Sequence, residues 1–309
     1  MNHRIITSGG LHPYLWCLFL GLCLSACLFA ACGKRRQLSW ADISISLVLA
    51  LLLGIAGSKL FYVLSRAGYM LPMYGGQAFF RDVLREFAFS GAVLGALGGL
   101  WLAAKARKRP FLRLLDTLAP AGLLMIACAR FSEYFVDFGL GSYVEQPGLM
   151  FFPYAMPNAY GEWFQAVFML EGLLALAALW VALRWKHSYV GLACLVLWAL
   201  PQVFAESLRN ETLRWGFVRI QQVFCVLSAL AALLYAAFKA RGIAPSSPNR
   251  RMTTRMLIYV LGIGICIGVE FALDKSDLSP WLCYGCMALA LAAMGMAALG
   301  QIKDATAPE

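Results

Sequence analysis

The chain has 309 residues, 61% of them hydrophobic and only 14% charged, with a mean hydropathy of +0.71. An average soluble domain carries about 25% charged residues, so too little polar surface exists here to coat a soluble globule; a soluble enzyme, a disordered chain and a collagen-like fibre are excluded, and an integral membrane protein remains. The net charge of +10 would point to nucleic acid in a soluble chain, but in a membrane protein it belongs to cytoplasmic connections, and no nucleic-acid partner is expected.

Crossing the hydrocarbon takes about 20 mostly apolar residues. Nine runs qualify: residues 11–32, 42–64, 87–104, 114–131, 162–183, 189–206, 217–238, 256–273 and 280–300. They are far longer than the ~10-residue strands of a membrane barrel. Lipid cannot hydrogen-bond an exposed backbone, so each run is predicted helical. The fold class is an all-α integral membrane protein with about nine transmembrane helices. The first run contains Leu24-Ser25-Ala26-Cys27, which has the form of a bacterial lipobox. Apolar sequence continues past Cys27, so this is read as helix interior, and the long run is not read as a cleaved leader. Residues 65–86 and 132–161 are long connections rich in aromatics, Gly and Pro, expected to form ordered lids. Residues 241–255 (RGIAPSSPNRRMTTR) read as a flexible basic linker. They divide a core at 1–240 from two further helices at 256–300 and a cytoplasmic tail at 301–309. No internal repeat is found.

Connections 1, 3, 5 and 7 and the tail carry sixteen basic residues, against eight on the opposite side. This asymmetry places the N-terminus outside and the C-terminus in the cytoplasm. The ten cysteines sit mostly within apolar runs and behave as small hydrophobes rather than as a disulfide framework. His3, His12 and His187 share no metal-ligand spacing, and Cys283-x-x-Cys286 lacks companions, so no metal or cofactor is expected. Neither a G-x-S-x-G elbow nor a phosphate loop occurs.

A charge at mid-bilayer costs at least ~2.5 kcal/mol on insertion scales, which makes the few charges inside the runs informative. Asp116 and Arg130 bracket the fourth run, with Pro120 four residues after Asp116. Glu133 follows Arg130 by three, a spacing that lets the two pair on one helical face. Glu206 and Arg209 repeat that spacing at the end of the sixth run, and Arg219, Gln221 and Gln222 begin the seventh. One reading is an outward-facing polar cavity for an anionic lipid head group, which a bidentate guanidinium suits. The other is interfacial anchoring by snorkelling side chains. Arg130 with Glu133 favours the cavity, and Arg214 and Arg219 alone favour anchoring. Glu270 is a lone intramembrane acid without an assigned partner.

With these residues in place, the chain resembles the bacterial prolipoprotein diacylglyceryl transferase family. Asp116-Thr-Leu-Ala-Pro120, with Arg130 ten residues on and the stretch to Gly141, is similar to that family's D-x-x-A-P and G-R-x-G-N-F-x-N-x-E-x-x-G. Gly57-Ser-Lys-Leu-Phe-Tyr-Val resembles its G-G-R-L-x-Y-V, and Phe89-Ser90-Gly91-Ala92 its F-H-G-G. Phe204-Ala-Glu206-Ser-Leu-Arg209 resembles its F-x-E-x-x-R, and Val218-Arg-Ile-Gln-Gln222 aligns with its M-G-Q. The likeness runs in order across about residues 11–238, a seven-helix core that omits the last two helices.

The resemblance implies transfer of a diacylglyceryl group from phosphatidylglycerol to a lipobox cysteine of a secreted precursor, in the bacterial plasma membrane. It implies catalytic positions at Glu133, Ser90 and Glu206. Head-group binding would fall to Arg130, Arg209, Gln222 and Gly141, with Asp116 and Pro120 structural in their motif. Several positions depart from the pattern. Ser90 replaces the family histidine, Glu133 an asparagine, Phe138 a glutamate and Gln202 an arginine, while Tyr14 or Trp16 stands for a first-helix tyrosine. Ser90 is no imidazole base; Glu133 either supplies a base or neutralises Arg130. The rival readings are a non-catalytic lipid-binding or partner protein on the same scaffold, and a transporter, which the glycine-rich stretch Gly91–Gly99 and the intramembrane charges permit, though no inverted repeat supports it.

Overall fold

The computed structural model describes residues 13–80, 87–136, 138–158, 160–210, 212–215, 218–243, 250–276 and 278–306. His3, Arg4, His12, Arg81 and Arg85 lie outside the described residues. Ten α-helices follow in order: α1 (Pro13–Arg35), α2 (Trp40–Ser65), α3 (Ala67–Tyr74), α4 (Phe89–Ala106), α5 (Phe111–Ser132), α6 (Val167–Arg184), α7 (Val190–Leu208), α8 (Ile220–Ile243), α9 (Arg250–Lys275) and α10 (Pro280–Asp304). Among the described residues all but the short α3 are long and apolar enough to cross a membrane, which makes nine spans and a multi-pass membrane protein.

The ends of the runs shift for local reasons. α8 continues to Ile243 and α9 starts at Arg250, so the expected linker narrows at both sides; residues 244–249 lie outside the described residues. α10 likewise runs on to Asp304, into the expected tail. The fifth run does not begin as helix. Strand β1 (Ala155–Pro157) pairs antiparallel with β2 (Trp163–Gln165), and α6 starts only at Val167. The Asn158 side-chain oxygen accepts from the Tyr160 and Glu162 amides at 2.8 and 3.0 Å. Such an Asx-type closure favours a turn over a helix start. A second pair, β3 (Arg214–Trp215) with β4 (Val218–Arg219), precedes α8.

α7 is apolar around its whole circumference and takes the central place, touching α5, α6, α8 and α10. α2 and α4 pack most closely. An added Cβ at Gly91, Gly95 or Gly99 would strike the carbonyl oxygen of Gly57, Leu53 or Leu49 respectively. Lipid tails are as apolar as leucine, so helices in a membrane associate through such close backbone approach at small residues. The glycine-rich stretch is therefore a packing face.

At the end bearing the basic connections, Asp42 is fully buried. It forms a capping box with Ser39 and accepts from Arg107 Nε at 2.8 Å and Arg109 Nε at 3.1 Å. Asp116 Oδ1 accepts from the Gly191 amide of α7 at 2.7 Å, and Arg36 Nη1 stands 3.5 Å from Oδ2. Asp116 thus ties α5 to the start of α7. Pro120, in the same helix, leaves the Asp116 carbonyl without its usual amide donor.

Gly95→Leu should force α2 and α4 apart and lower stability by about 1–3 kcal/mol or more. Gly98→Leu, where a Cβ meets nothing within 4 Å, should leave the denaturation midpoint in detergent nearly unchanged.

Candidate functional site

Fourteen residues on the same helix separate Arg130 from Asp116, roughly 21 Å at 1.5 Å per residue. Arg130 therefore sits at the opposite end of the bundle from the Asp42 and Asp116 contacts. There the chain gathers Arg130 from the last turn of α5, Glu133 just beyond it, Glu171 from α6, and Arg209 just after α7. Arg130 Nη1 donates to Glu133 Oε1 at 2.6 Å, and Arg209 Nη2 donates to Glu133 Oε2 at 2.9 Å. Arg209 Nη1 reaches both oxygens of Glu171, at 3.2 and 3.0 Å. Arg130 Nε lies 3.1 Å from Glu171 Oε2, off the axis of a good hydrogen bond. Gln202 of α7 completes the set by donating to Glu171 Oε1. Two cations and two anions thus close a ring, and each carboxylate serves both arginines.

The ring is sealed from several sides. Arg130, Glu133 and Glu171 are buried. The Arg130 guanidinium carbon lies 5.1 Å from the Phe89 ring centroid, a cation–π contact. Gly139 has φ +70, and a Cβ there would strike Glu133 Oε2. Only glycine combines that backbone conformation with so close an approach to the ion pairs. Tyr14 of α1 is half-buried within electrostatic reach of Glu133 and Arg130, whereas Trp16 is exposed. That separates the two first-helix aromatics.

A cavity of about 460 Å³ opens beside the ring, lined by Arg130, Glu133, Gly139, Arg209 and, from other elements, Tyr62, Arg66, Phe87, Glu206 and Gln221. Glu206 is 4% exposed. The expected pairing of Glu206 with Arg209 does not form, because Arg209 turns to Glu133 and Glu171. Among the described residues, nothing donates to the Glu206 carboxylate or pairs with it; Arg219 Nη1 donates to its backbone carbonyl instead. Glu206 is thus a buried acid at the cavity wall with no hydrogen bond or close ion pair of its own, balanced only by the more distant charges of Arg209, Arg130 and Arg219, and so open to a ligand or proton from the cavity. Arg66, at the exposed margin, stacks on Tyr62 at 5.2 Å and has no acidic partner among the described residues.

The other expected site residues divide. Ser90 is buried, and its hydroxyl donates to Gln221 Oε1 at 2.8 Å, one step behind the cavity wall. Gln222 does not reach the cavity. Its amide donates to Ser207 Oγ at 2.8 Å and to Glu270 Oε1 at 2.7 Å, on the far side of α8. Successive helical residues point about 100° apart, so Gln221 faces the cavity and Gln222 cannot. Gly141 lies outside the lining; a Cβ there would press on the Leu208 carbonyl and Val167, and its own carbonyl accepts from Asn210 Nδ2 at 2.5 Å. Gly141 therefore holds the loop against the end of α7. Glu171 and Gly139 escaped the sequence reading. Glu171 was detectable by the intramembrane-charge criterion applied to its neighbours; Gly139 had no local signal. Glu270, left without a partner from sequence, has Ser207, Gln222 and Arg219.

The family model described as prolipoprotein diacylglyceryl transferase matches residues 4–238 of this chain. Among similar curated proteins, the phosphatidylglycerol–prolipoprotein diacylglyceryl transferase of Clostridium novyi is 24% identical over 225 residues, covering 70% of this chain and 86% of its own length. That of Synechococcus elongatus is 27% identical over 241 residues, covering 70% and 78%. That of Parasynechococcus marenigrum is 29% identical over 215 residues, covering 64% and 74%.

Removing one carboxylate from the ring strands a buried cation, at a cost of about 3–5 kcal/mol. Glu171→Gln should lower the denaturation midpoint accordingly. Asp304→Asn, which loses a more exposed pair with Arg255, should cost at most about 1 kcal/mol.

Proposed function

The chain belongs to the prolipoprotein diacylglyceryl transferase family, and from that membership we propose that it transfers a diacylglyceryl group from phosphatidylglycerol, or a related glycerophospholipid, to the thiol of a lipobox cysteine. The observation that carries this reading is the Glu206 carboxylate, buried, at the cavity wall and without a hydrogen bond or close ion pair among the described residues. An unperturbed thiol has a pKa of about 8.5, so a nearby base raises the fraction of attacking thiolate. Glu206 takes the thiol proton, and the sulfur attacks the glyceryl carbon bonded to the phosphate. The S–C bond forms as the C–O bond breaks, and glycerol phosphate leaves with the electron pair. The proton then returns from Glu206 to solvent or to the departing phosphate.

Glu133 does not serve as that base in this mechanism. Both its oxygens accept from arginines, so its role is neutralisation. Arg66 at the mouth, with no acidic partner among the described residues, provides a cation for the phosphate. Arg130 and Arg209 contribute N–H donors more than net charge, and the Nε atom of each is buried without an acceptor. No metal or cofactor enters these steps.

The alternative is a lipid-binding protein without transfer, favoured by the engagement of Ser90 with Gln221 and by the balanced ring. The glycine stretch, one of the two features that permitted a transporter, is taken up in α2–α4 packing. The purified protein, labelled phosphatidylglycerol and a lipobox peptide decide between the first two. Transfer should be slow in the wild type, fall about 10²–10⁴-fold in Glu206→Gln and rise in Ser90→His. Absence of transfer in both the wild type and Ser90→His would establish the non-catalytic reading.

The same reading places the protein in the bacterial plasma membrane, N-terminus outside and C-terminus cytoplasmic, with the cavity toward the outer leaflet. The sixteen-to-eight split of basic residues supports this orientation. In a cysteine-depleted background, an outside-only thiol reagent should label Gly148→Cys and spare Ser188→Cys. The reverse pattern would invert the topology.

A further inference from the structure

α9 and α10 lie beyond residues 4–238, the stretch that the family model matches, and where α9 meets the core a second cavity opens. α10 packs broadly on α7 and α8, but α9 touches α8 only lightly. The resulting cleft has about 360 Å³. Val226 on its wall accepts from the buried Tyr259 hydroxyl at 2.8 Å, which ties α9 to α8 one turn beyond the lining. From there Ile263 and Ile267 form an apolar wall, and the far end is polar, with Arg219, Gln222 and Glu270. Seven helical residues from Ile263 to Glu270 give the groove a length of roughly 10 Å.

The polar end is incompletely satisfied. Glu270 Oε1 accepts from Gln222 Nε2 at 2.7 Å and from the Ser207 hydroxyl. Its Oε2 faces only Arg219 Nη2, at 4.0 Å, too far for a hydrogen bond. Arg219 Nη1 is held by the Glu206 carbonyl, which leaves Nη2 without an acceptor among the described residues. One carboxylate oxygen and one guanidinium nitrogen thus stand side by side, opposite in charge, at the polar end of an apolar groove. Their side chains are 28% and 16% exposed.

We propose that this cleft binds one amine-bearing zwitterionic phospholipid of the bilayer. Its phosphate accepts from Arg219 Nη2, its ammonium donates to Glu270 Oε2, and one acyl chain lies along the α8–α9 groove. An ethanolamine head group carries its phosphate and ammonium two carbons apart, which matches a cation and an anion set next to one another. A head group with anionic charge alone would place it beside Glu270, and that repulsion is strong where the dielectric is low. A choline head group has no N–H to give Oε2. The site is separate from the Glu206 cavity and does not depend on whether transfer takes place there.

Native mass spectrometry of the full chain, released from detergent with phosphatidylethanolamine, phosphatidylcholine or phosphatidylglycerol, tests the assignment. Retention at the cleft, read as the retention that Ile267→Trp removes and therefore free of any lipid held in the Glu206 cavity, should be about tenfold stronger for phosphatidylethanolamine than for the other two lipids, the scale of one charge-assisted hydrogen bond. Glu270→Gln should remove that preference while leaving phosphatidylglycerol retention unchanged or raised. Ile267→Trp, at an exposed position on the groove wall, should displace the bound phosphatidylethanolamine without altering the detergent denaturation midpoint. Equal retention of the three lipids at the cleft, read in the same way, would overturn the proposal. So would a phosphatidylethanolamine preference that survives both substitutions, or loss of all three lipids together in Glu270→Gln.

Discussion

Two arginines and two glutamates meet, largely buried, at one end of a bundle of membrane-spanning helices, and that meeting constrains the rest of this molecule. An isolated charge there is costly, and removing one member of a pair leaves another stranded. The ring of Arg130, Glu133, Arg209 and Glu171 answers this by giving each cation both anions. Its members come from the end of α5, the first turns of α6 and the exit of α7, so the ion pairs also set where those helices end relative to one another. Gly139 is required because the loop must pass directly over the carboxylate. The cavity lies beside a charge-balanced floor, and the single acid left out of the balance, Glu206, faces it.

Two of the departures that the resemblance implies, at positions 133 and 202, make sense together. A glutamate in place of the motif asparagine adds a negative charge at position 133, and a glutamine in place of arginine removes a positive one at position 202. Glu133 lies against both arginines, and Gln202 donates to Glu171. Both changes move the cluster toward neutrality. The loss of histidine at position 90 is matched by a buried serine–glutamine hydrogen bond, which keeps the start of α4 against α8 without an ionisable group.

The opposite end of the bundle works differently. Asp42 and Asp116 are anchored by arginines of the connections and by the backbone of α7. These contacts hold the frame on which the ring is set. α7 runs between the two ends and also receives the added C-terminal helices, through α10 along its side and through Ser207 to Glu270 of α9. One helix therefore joins the frame, the candidate site and the lipid-facing cleft.

The nine spans were legible because the cost of exposing peptide groups to hydrocarbon forces any apolar run of that length into a helix. The Arg130–Glu133 pair was legible too, since an i, i+3 spacing is a local rule. Short-range turn chemistry at Asn158 moved the start of α6, and the helical phase put Gln221 rather than Gln222 in the cavity. Local rules could not choose the partner of Arg209. It lies three residues from Glu206 yet bonds Glu133 and Glu171, which are 76 and 38 positions away. Sequence by itself determined which residues are apolar enough to enter the membrane and which charges enter with them. Tertiary structure alone decided which of those charges neutralise one another and which one stays free, because in a low-dielectric interior pairing depends on distances between helices that no spacing along the chain encodes.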